Sequence, residues 1–214
     1  GTELDERAVL AAAWSALAEN KPRDALSLLT RAVADPASPV GPGKPREAHA
    51  LMALARAHRL LGELPEALRF VDEAAKVSRG DVSVRMERIE MLHAMGRVDD
   101  ARRLLGEAQG AARGEASMLM GLGSLAIALK LEREAIAIYE ELTTASRDVY
   151  LAFNNLAWLL ATAEDKKLRN PEQAVRTARV AVEGTSWQDP TTIDTLAEAH
   201  FAAGQPRDAI RTIE

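Results

Sequence analysis

The sequence predicts an all-α protein of about six helix–turn–helix units, and three observations carry that prediction. The first is the stretch 54–75, LARAHRLLGELPEALRFVDEAA, which reads as helix, tight turn, helix. Leu54, Ala55 and His58 share one face of its first helix, and Ala67, Leu68, Val71 and Ala74 continue a stripe of 3.6-residue period. Gly62 closes the first helix, because the residue after a helix end often takes the left-handed conformation that glycine adopts without penalty. Pro65 falls in the first turn of the next helix, where a missing N–H is tolerated. The second observation is recurrence. Alanines equivalent to Ala67 stand at Ala25, Ala101, Ala135, Ala174 and Ala209, and by subtraction the spacings along the chain are 42, 34, 34, 39 and 35. The third is composition: hydrophobic residues make up 47% but aromatics only 4%, so the apolar content is largely aliphatic and alanine, which suits closely stacked helices.

The turn slot five residues before each anchor strengthens the repeat. It holds Gly62, Gly96 and Gly204, with Asn20, the next most tolerant residue, in a fourth copy and Lys130 in a fifth. Four residues past the anchors come Leu29, Val71, Leu105, Tyr139, Ala178 and Ile213. A helix–turn–helix period of about 34 residues is the signature of tetratricopeptide arrays, and over essentially its whole length the chain resembles that family. The resemblance implies a right-handed α-solenoid of about six repeats. It implies that the first helices line a concave face, and that the chain serves as a non-catalytic scaffold for a protein or peptide partner.

In chain order the helices are expected at 3–19 and 22–34, 46–61 and 65–78, 81–95 and 98–109, 115–129 and 132–145, 148–163 and 171–184, and 190–203 and 206–214. The six repeats run over about 3–34, 46–78, 81–109, 115–145, 148–184 and 190–214, read as one array covering 1–214. Pro22, Pro65, Pro171 and Pro206 start second helices, and Asp189 before Pro190 reads as an N-cap followed by a first-turn proline. The long first spacing arises in 35–45, DPASPVGPGKP, where a proline at every third residue favours an extended polyproline segment, either a spacer or a docking segment. The second insertion lies in 163–170. From about 150 to 214 the chain resembles the last repeats of large bacterial tetratricopeptide proteins, some fused to membrane glycosyltransferases or belonging to envelope and export systems. The second reading is therefore a structural or oligomerisation module of a larger membrane-associated or envelope protein. The bacterial cytoplasm and the periplasm both stay open.

The residues argue against several functions. A net charge of −5 and a pI near 5.5 disfavour a nucleic-acid partner, which calls for a basic face. Cysteine is absent, no run approaches the ~18 apolar residues of a membrane span, and no signal peptide is visible. His58 and His200 occupy the same slot, nine residues before their anchors, and read as structural histidines; no ligand spacing accompanies them, so no metal and no cofactor is expected. Gly121 and Gly123 fall inside a helix without a preceding strand and read as packing glycines rather than a phosphate loop. No nucleophile, base and orienter can be assembled, and the chain reads as non-enzymatic.

The informative positions lie on the first helices. Met52, Met86 and Met120 recur at spacings of 34 and 34; this ladder serves either a groove or the packing between repeats. Arg56 and Arg59 face the same side, as do Asn154, Asn155 and Trp158 of the fifth repeat. Asparagine pairs with both the donor and the acceptor of a peptide backbone, and the family often uses it so. Trp and Arg dominate interface energies. The expected partner-binding set is Met52, Met86, Met120, Arg56, Arg59, Asn154, Asn155 and Trp158, with Trp14 and Trp158 open to a core role as well. Two local expectations complete the reading. Lys130 is either held in a strained left-handed turn or sits in a different turn. The last hairpin, with Ala209, Ile210 and Ile213 as its inner stripe, is expected to expose an apolar flank that another helix of a longer parent chain covers, or that self-associates.

Overall fold

The computed structural model describes residues 2–34 and 47–214; the proline-rich stretch, with its two readings, lies outside them. Among the described residues there are twelve α-helices, one short 3-10 helix and no strand. The helices are α1 (Thr2–Ala18), α2 (Pro22–Ala34), α3 (Glu47–Leu60), α4 (Leu64–Val77), α5 (Val82–Ala94), α6 (Val98–Ala111), α7 (Ala116–Ala128), α8 (Glu132–Ala145), α9 (Tyr150–Thr162), α10 (Pro171–Gly184), α11 (Pro190–Ala202) and α12 (Pro206–Ile213). Every helix expected from the sequence is present, with ends within 2 residues of the expected ones.

Two compact units make up the chain, Gly1–Leu104 and Leu105–Glu214. In the first, α1 packs on α2 and α3, α3 on α4, and α4 on α5. Its core joins Leu10, Ala13 and Leu17 of α1 to Ala25 and Leu29 of α2 and to Ala50, Ala53, Leu54 and Ala57 of α3. In the second, α7 packs on α8, α8 on α9, α9 on α10 and α11, and α11 on α12. Within each unit helices pack on their hairpin partners and on the next hairpin, which is how stacked hairpins bury stripes that neither could bury alone. The anchor alanines explain the close approach: Ala25, Ala67, Ala101, Ala135 and Ala174 are wholly buried, and only Ala209 of the last hairpin is partly open.

The turns follow the anchors. Asn20, Gly62, Gly96, Lys130 and Gly204 all have positive φ, between 56° and 78°. Each of these turns closes with the same backbone pair, as in Gly62 N–H to Arg59 O and Glu63 N–H to His58 O, both 2.9 Å. Lys130 repeats it with Ile127 and Leu131 with Ala126, so the strained alternative expected there is the one adopted. His58 and His200 brace two of these turns from inside the helix. Their Nδ1 atoms pair with Glu63 Oε2 at 2.6 Å and Gln205 Oε1 at 2.7 Å. Asp189 caps α11 by accepting from Thr191 N–H at 3.1 Å, as its place before Pro190 implies.

The 163–170 insertion is built rather than loose. It contains the 3-10 turn Lys166–Leu168, and Glu132 of α8 accepts the Glu164 N–H at 2.9 Å. Asn170 N–H donates to Leu160 O at 2.8 Å, which returns the chain to the repeat register before α10. In the last hairpin Ile210 and Ile213 lie exposed together with Phe201. The stripe expected to face inward leaves only Ala209 half-buried, because no further helix packs against α12 among the described residues.

Candidate partner-binding face

The first helices α3, α5, α7 and α9 keep the 34-residue period without a break. Arg56, Glu90, Ser124 and Trp158 are successive occupants of one slot, Ala53, Glu87, Gly121 and Asn155 of a second, and Met52, Met86, Met120 and Asn154 of a third. The backbone thus presents the same positions repeatedly, and only the side chains differ.

In the first unit those positions carry charge. Arg59 of α3 reaches α5, with Nη1 3.2 Å from Glu90 Oε2 and Nε 3.4 Å from Glu87 Oε1. The Glu90 contact is a hydrogen bond; the Glu87 contact is an ion pair whose two buried atoms lack hydrogen-bond geometry. Burial holds the Glu87 carboxyl above the usual glutamate range; Arg59 and Arg56 pull it down and Glu90 pushes it further up. Arg56 stays exposed, its guanidinium 5.9 Å from the centre of the half-buried Trp14 ring. Arg59, expected to meet a partner, is already engaged by its own chain. Met52 is half-buried against the cluster of Leu51, Ala55, Ala67, Val71, Ala74, Val84 and Met91, and Met86 is half-buried as well.

In the second unit the same slots are neutral. Leu151 and Trp158 of α9 are 56% and 47% exposed, one helical repeat of seven residues apart, with Asn155 between them on the same face. Trp158 is therefore a surface residue and the core reading for it is set aside. Asn155 Nδ2 donates to the Tyr139 hydroxyl at 3.0 Å, and that hydroxyl lies 3.3 Å from Ser124 Oγ of α7. The Tyr139 ring is wholly buried. Its seat is made by Gly123: a Cβ there would stand 2.6 Å from Tyr139 Cζ, so the packing role expected of this glycine has a specific occupant. Asn154 is the correction. The sequence puts it on the same face as Asn155, but it is only 5% exposed and its Oδ1 is buried without a hydrogen-bond partner. Neighbours in a helix are 100° apart, and α9 is packed by α8, α10 and α11, which turns Asn154 inward. Met120 is half-buried.

Sequence reasoning missed Leu151 and the Tyr139 hydroxyl. Leu151 was legible as an apolar residue seven before Trp158. Tyr139 stands in the sequence only as the residue four past its anchor, and nothing in that slot shows where its oxygen emerges. Among the described residues no group of His, Asp and Glu is placed to hold a metal ion, and no helix is long and apolar enough to cross a membrane.

Comparison with known proteins agrees with this architecture. Among solved structures, a tetratricopeptide repeat protein from Parabacteroides merdae is 16% identical with a TM-score of 0.61, over 97% of this chain and 77% of that one. MamA from Desulfovibrio magneticus is 15% identical with a TM-score of 0.54, over 78% of this chain and 91% of that one. YrrB, described as a tetratricopeptide protein with an unusual peptide-binding site, is 13% identical with a TM-score of 0.50, over 78% and 82% of the two chains. At these identities the likeness is one of fold. No curated protein matches the sequence. The tetratricopeptide repeat family model matches residues 10–81 and 92–150, more than half of the chain. With the period, the left-handed turns and the buried anchors in place, the chain belongs to the tetratricopeptide repeat family, a family of protein-interaction scaffolds.

Proposed function

We propose that the chain is a non-catalytic scaffold that binds a peptide or helix of a partner protein along the face of its first helices. The observation that carries this reading is the exposed pair Leu151 and Trp158 flanking Asn155. Two large apolar side chains left in water beside an amide on a rigid helix make a surface that gains by being covered. Trp158 supplies a wall, Asn155 pairs with backbone, and Met120 adds an adaptable apolar edge. In the first unit the exposed Arg56 offers its guanidinium to a partner carboxylate, with Met52 one helical turn away on α3 and Met86 in the equivalent slot of α5. That a neighbour in fold, YrrB, is described as having a peptide-binding site supports the class of ligand. The test is binding of a synthetic library of short linear peptides to the immobilised chain. Selected peptides should lose affinity to Trp158→Ala, Asn155→Ala and Arg56→Ala chains that melt like wild type. Undiminished binding to all three variants overturns the assignment of the face.

A second reading rests on a different observation. Phe201, Ile210 and Ile213, 66%, 55% and 62% exposed, form an apolar flank on the last hairpin, rimmed by Asp194 and Glu198. This flank favours self-association of the array. Light scattering across a concentration series should show mass rising with concentration, and Phe201→Ser should abolish the rise. A monomer at all concentrations removes this reading.

A further inference from the structure

We infer that the Tyr139 hydroxyl is a positioning group for recognition: it fixes the Asn155 amide so that the second unit presents an acceptor at Asn155 and a donor at Ser124, the pattern of an extended peptide backbone. The inference rests on the proposed peptide-binding reading and adds the group that sets its polarity.

The derivation starts from the repeat. In the slot four residues past the anchor, the other repeats carry Leu29, Val71, Leu105, Ala178 and Ile213, all without a polar tip. Twelve residues before the anchor in the short-turn repeats, and at the 34-residue equivalent in the fifth, stand Ala13, Ala55, Ile89, Ala157 and Ala197; only the fourth repeat has glycine there, Gly123. The largest residue of one slot and the smallest of the other thus coincide in a single repeat. The Tyr139 ring lies against Gly123 where any Cβ would collide. That depth carries its hydroxyl up between Ser124 and Asn155.

A buried phenol hydroxyl has one proton to give and lone pairs to receive. Asn155 Nδ2 can only donate, so at 3.0 Å the Tyr139 oxygen is the acceptor. Ser124 Oγ lies 3.3 Å away, where either oxygen can donate, and the Tyr139 proton is assigned to it. Two consequences follow for the surface. Asn155 has its Nδ2 side turned to Tyr139, so Oδ1, which has no partner among the described residues, faces away as an acceptor for a partner N–H. Ser124, receiving a proton from below, turns its own O–H outward toward a partner C=O. Ser124 is exposed and Asn155 half-buried, so both reach solvent. A free asparagine side chain would flip between its two amide orientations and read either polarity; one held from beneath reads a single one.

The experiment uses the whole chain and the tightest peptide from the synthetic library, resynthesised with each backbone amide in turn replaced by an ester, which removes one N–H donor. One ester position should weaken binding to wild type by about three- to tenfold, the range of a single hydrogen bond. Tyr139→Phe should bind the all-amide peptide more weakly by a similar factor, and the ester penalty at that position should shrink toward nothing, because the two changes remove one coupled interaction. The Asn155 side-chain amide resonances should move in Tyr139→Phe without a spread of changes through α9. Ser124→Ala, which leaves the Gly123 seat intact, serves as a second variant should Tyr139→Phe unfold; it should lose affinity while keeping the ester penalty. If peptides bind but no ester position matters, or the penalty is the same in Tyr139→Phe, the positioning role is wrong while the peptide-binding reading stands. If no library peptide binds the wild-type chain, both fall.

Discussion

The two units use one backbone to opposite ends. In the first, the slots that face outward from α3 and α5 hold Arg56, Arg59, Glu87 and Glu90, and Arg59 answers both acids within the chain. In the second, the slots of α7 and α9 hold Ser124, Asn155 and Trp158, with Leu151 alongside, and the apolar surface there is answered by nothing among the described residues. On the charged face Arg59, Glu87 and Glu90 meet one another's needs while Arg56 stays exposed; the apolar surface of the neutral face is uncovered. A repeat with a strict period separates scaffold from site, since anchors and turns repeat while the side chains between them are free to differ.

The comparison is sharpened most by exchanging which property is damaged. Trp158→Ala should weaken partner binding by about 2 kcal/mol or more, as for a hot-spot residue, with little change in the urea midpoint. Arg59→Ala should do the reverse: binding intact, stability lower by about 1 kcal/mol for a partly exposed pair whose loss leaves Glu87 uncompensated. A binding loss on Arg59→Ala equal to that on Trp158→Ala would break the distinction.

Gly123→Ala comes next. The added methyl would meet the Tyr139 ring at 2.6 Å in a site with no room to yield, and overpacking of that kind destabilises by about 1–3 kcal/mol despite alanine's better helix propensity. Urea denaturation monitored by circular dichroism measures it, and an unchanged midpoint would mean the ring is not seated as described. Gly184 is a useful contrast. A Cβ there would overlap the Tyr150 ring at 2.0 Å, but Tyr150 is only half-buried and can swing aside, so Gly184→Ala should cost less.

Lys130→Gly should stabilise by about 1 kcal/mol, because φ is 56° at a residue with a Cβ. The reciprocal change in the first unit, Gly96→Lys at φ 75°, should destabilise by a similar amount. If both variants shift the melting midpoint in the same direction, the turns are not equivalent.

The smallest effect is a pH dependence. Glu87 has its folded pKa raised, so its contribution to stability is complete below the ordinary glutamate value of 4.5 and is lost as pH rises through the folded value. Wild type should therefore fall behind Glu87→Gln on moving from acid to neutral pH. Asp81 runs the other way. Its carboxylate accepts from the Ser83 hydroxyl and N–H at the start of α5, which holds its pKa below the usual 3.8. The stability it lends is present above that value and lost as pH falls through the lower folded one. Parallel pH–stability curves for wild type and Glu87→Gln would show that Glu87 is not buried as described.

What was legible in the chain follows from locality. The period, the turn residues, the prolines at helix starts and the Asp189 cap each express a preference within a few residues, and repetition multiplied a weak signal until the helices could be placed. The anchors Ala25, Ala67, Ala101, Ala135 and Ala174 could be named as buried because close helix packing admits little else. The candidate face was legible only in part. The slot puts Trp158 and Asn155 on one face, where the structure leaves them open to solvent, but a slot does not tell neighbours apart, and Asn154, expected on the same face, is buried. The sequence by itself determined the hairpins, their number and the family, because these depend on local conformational preference repeated in register. Only the tertiary structure decided that Arg59 is occupied, that Asn154 is inside and Asn155 outside, and that the hydroxyl of a core tyrosine surfaces beneath Asn155. Each of these is set by contacts between residues 15 to 31 positions apart or by a helix's rotation against its neighbours, and no local preference carries that information.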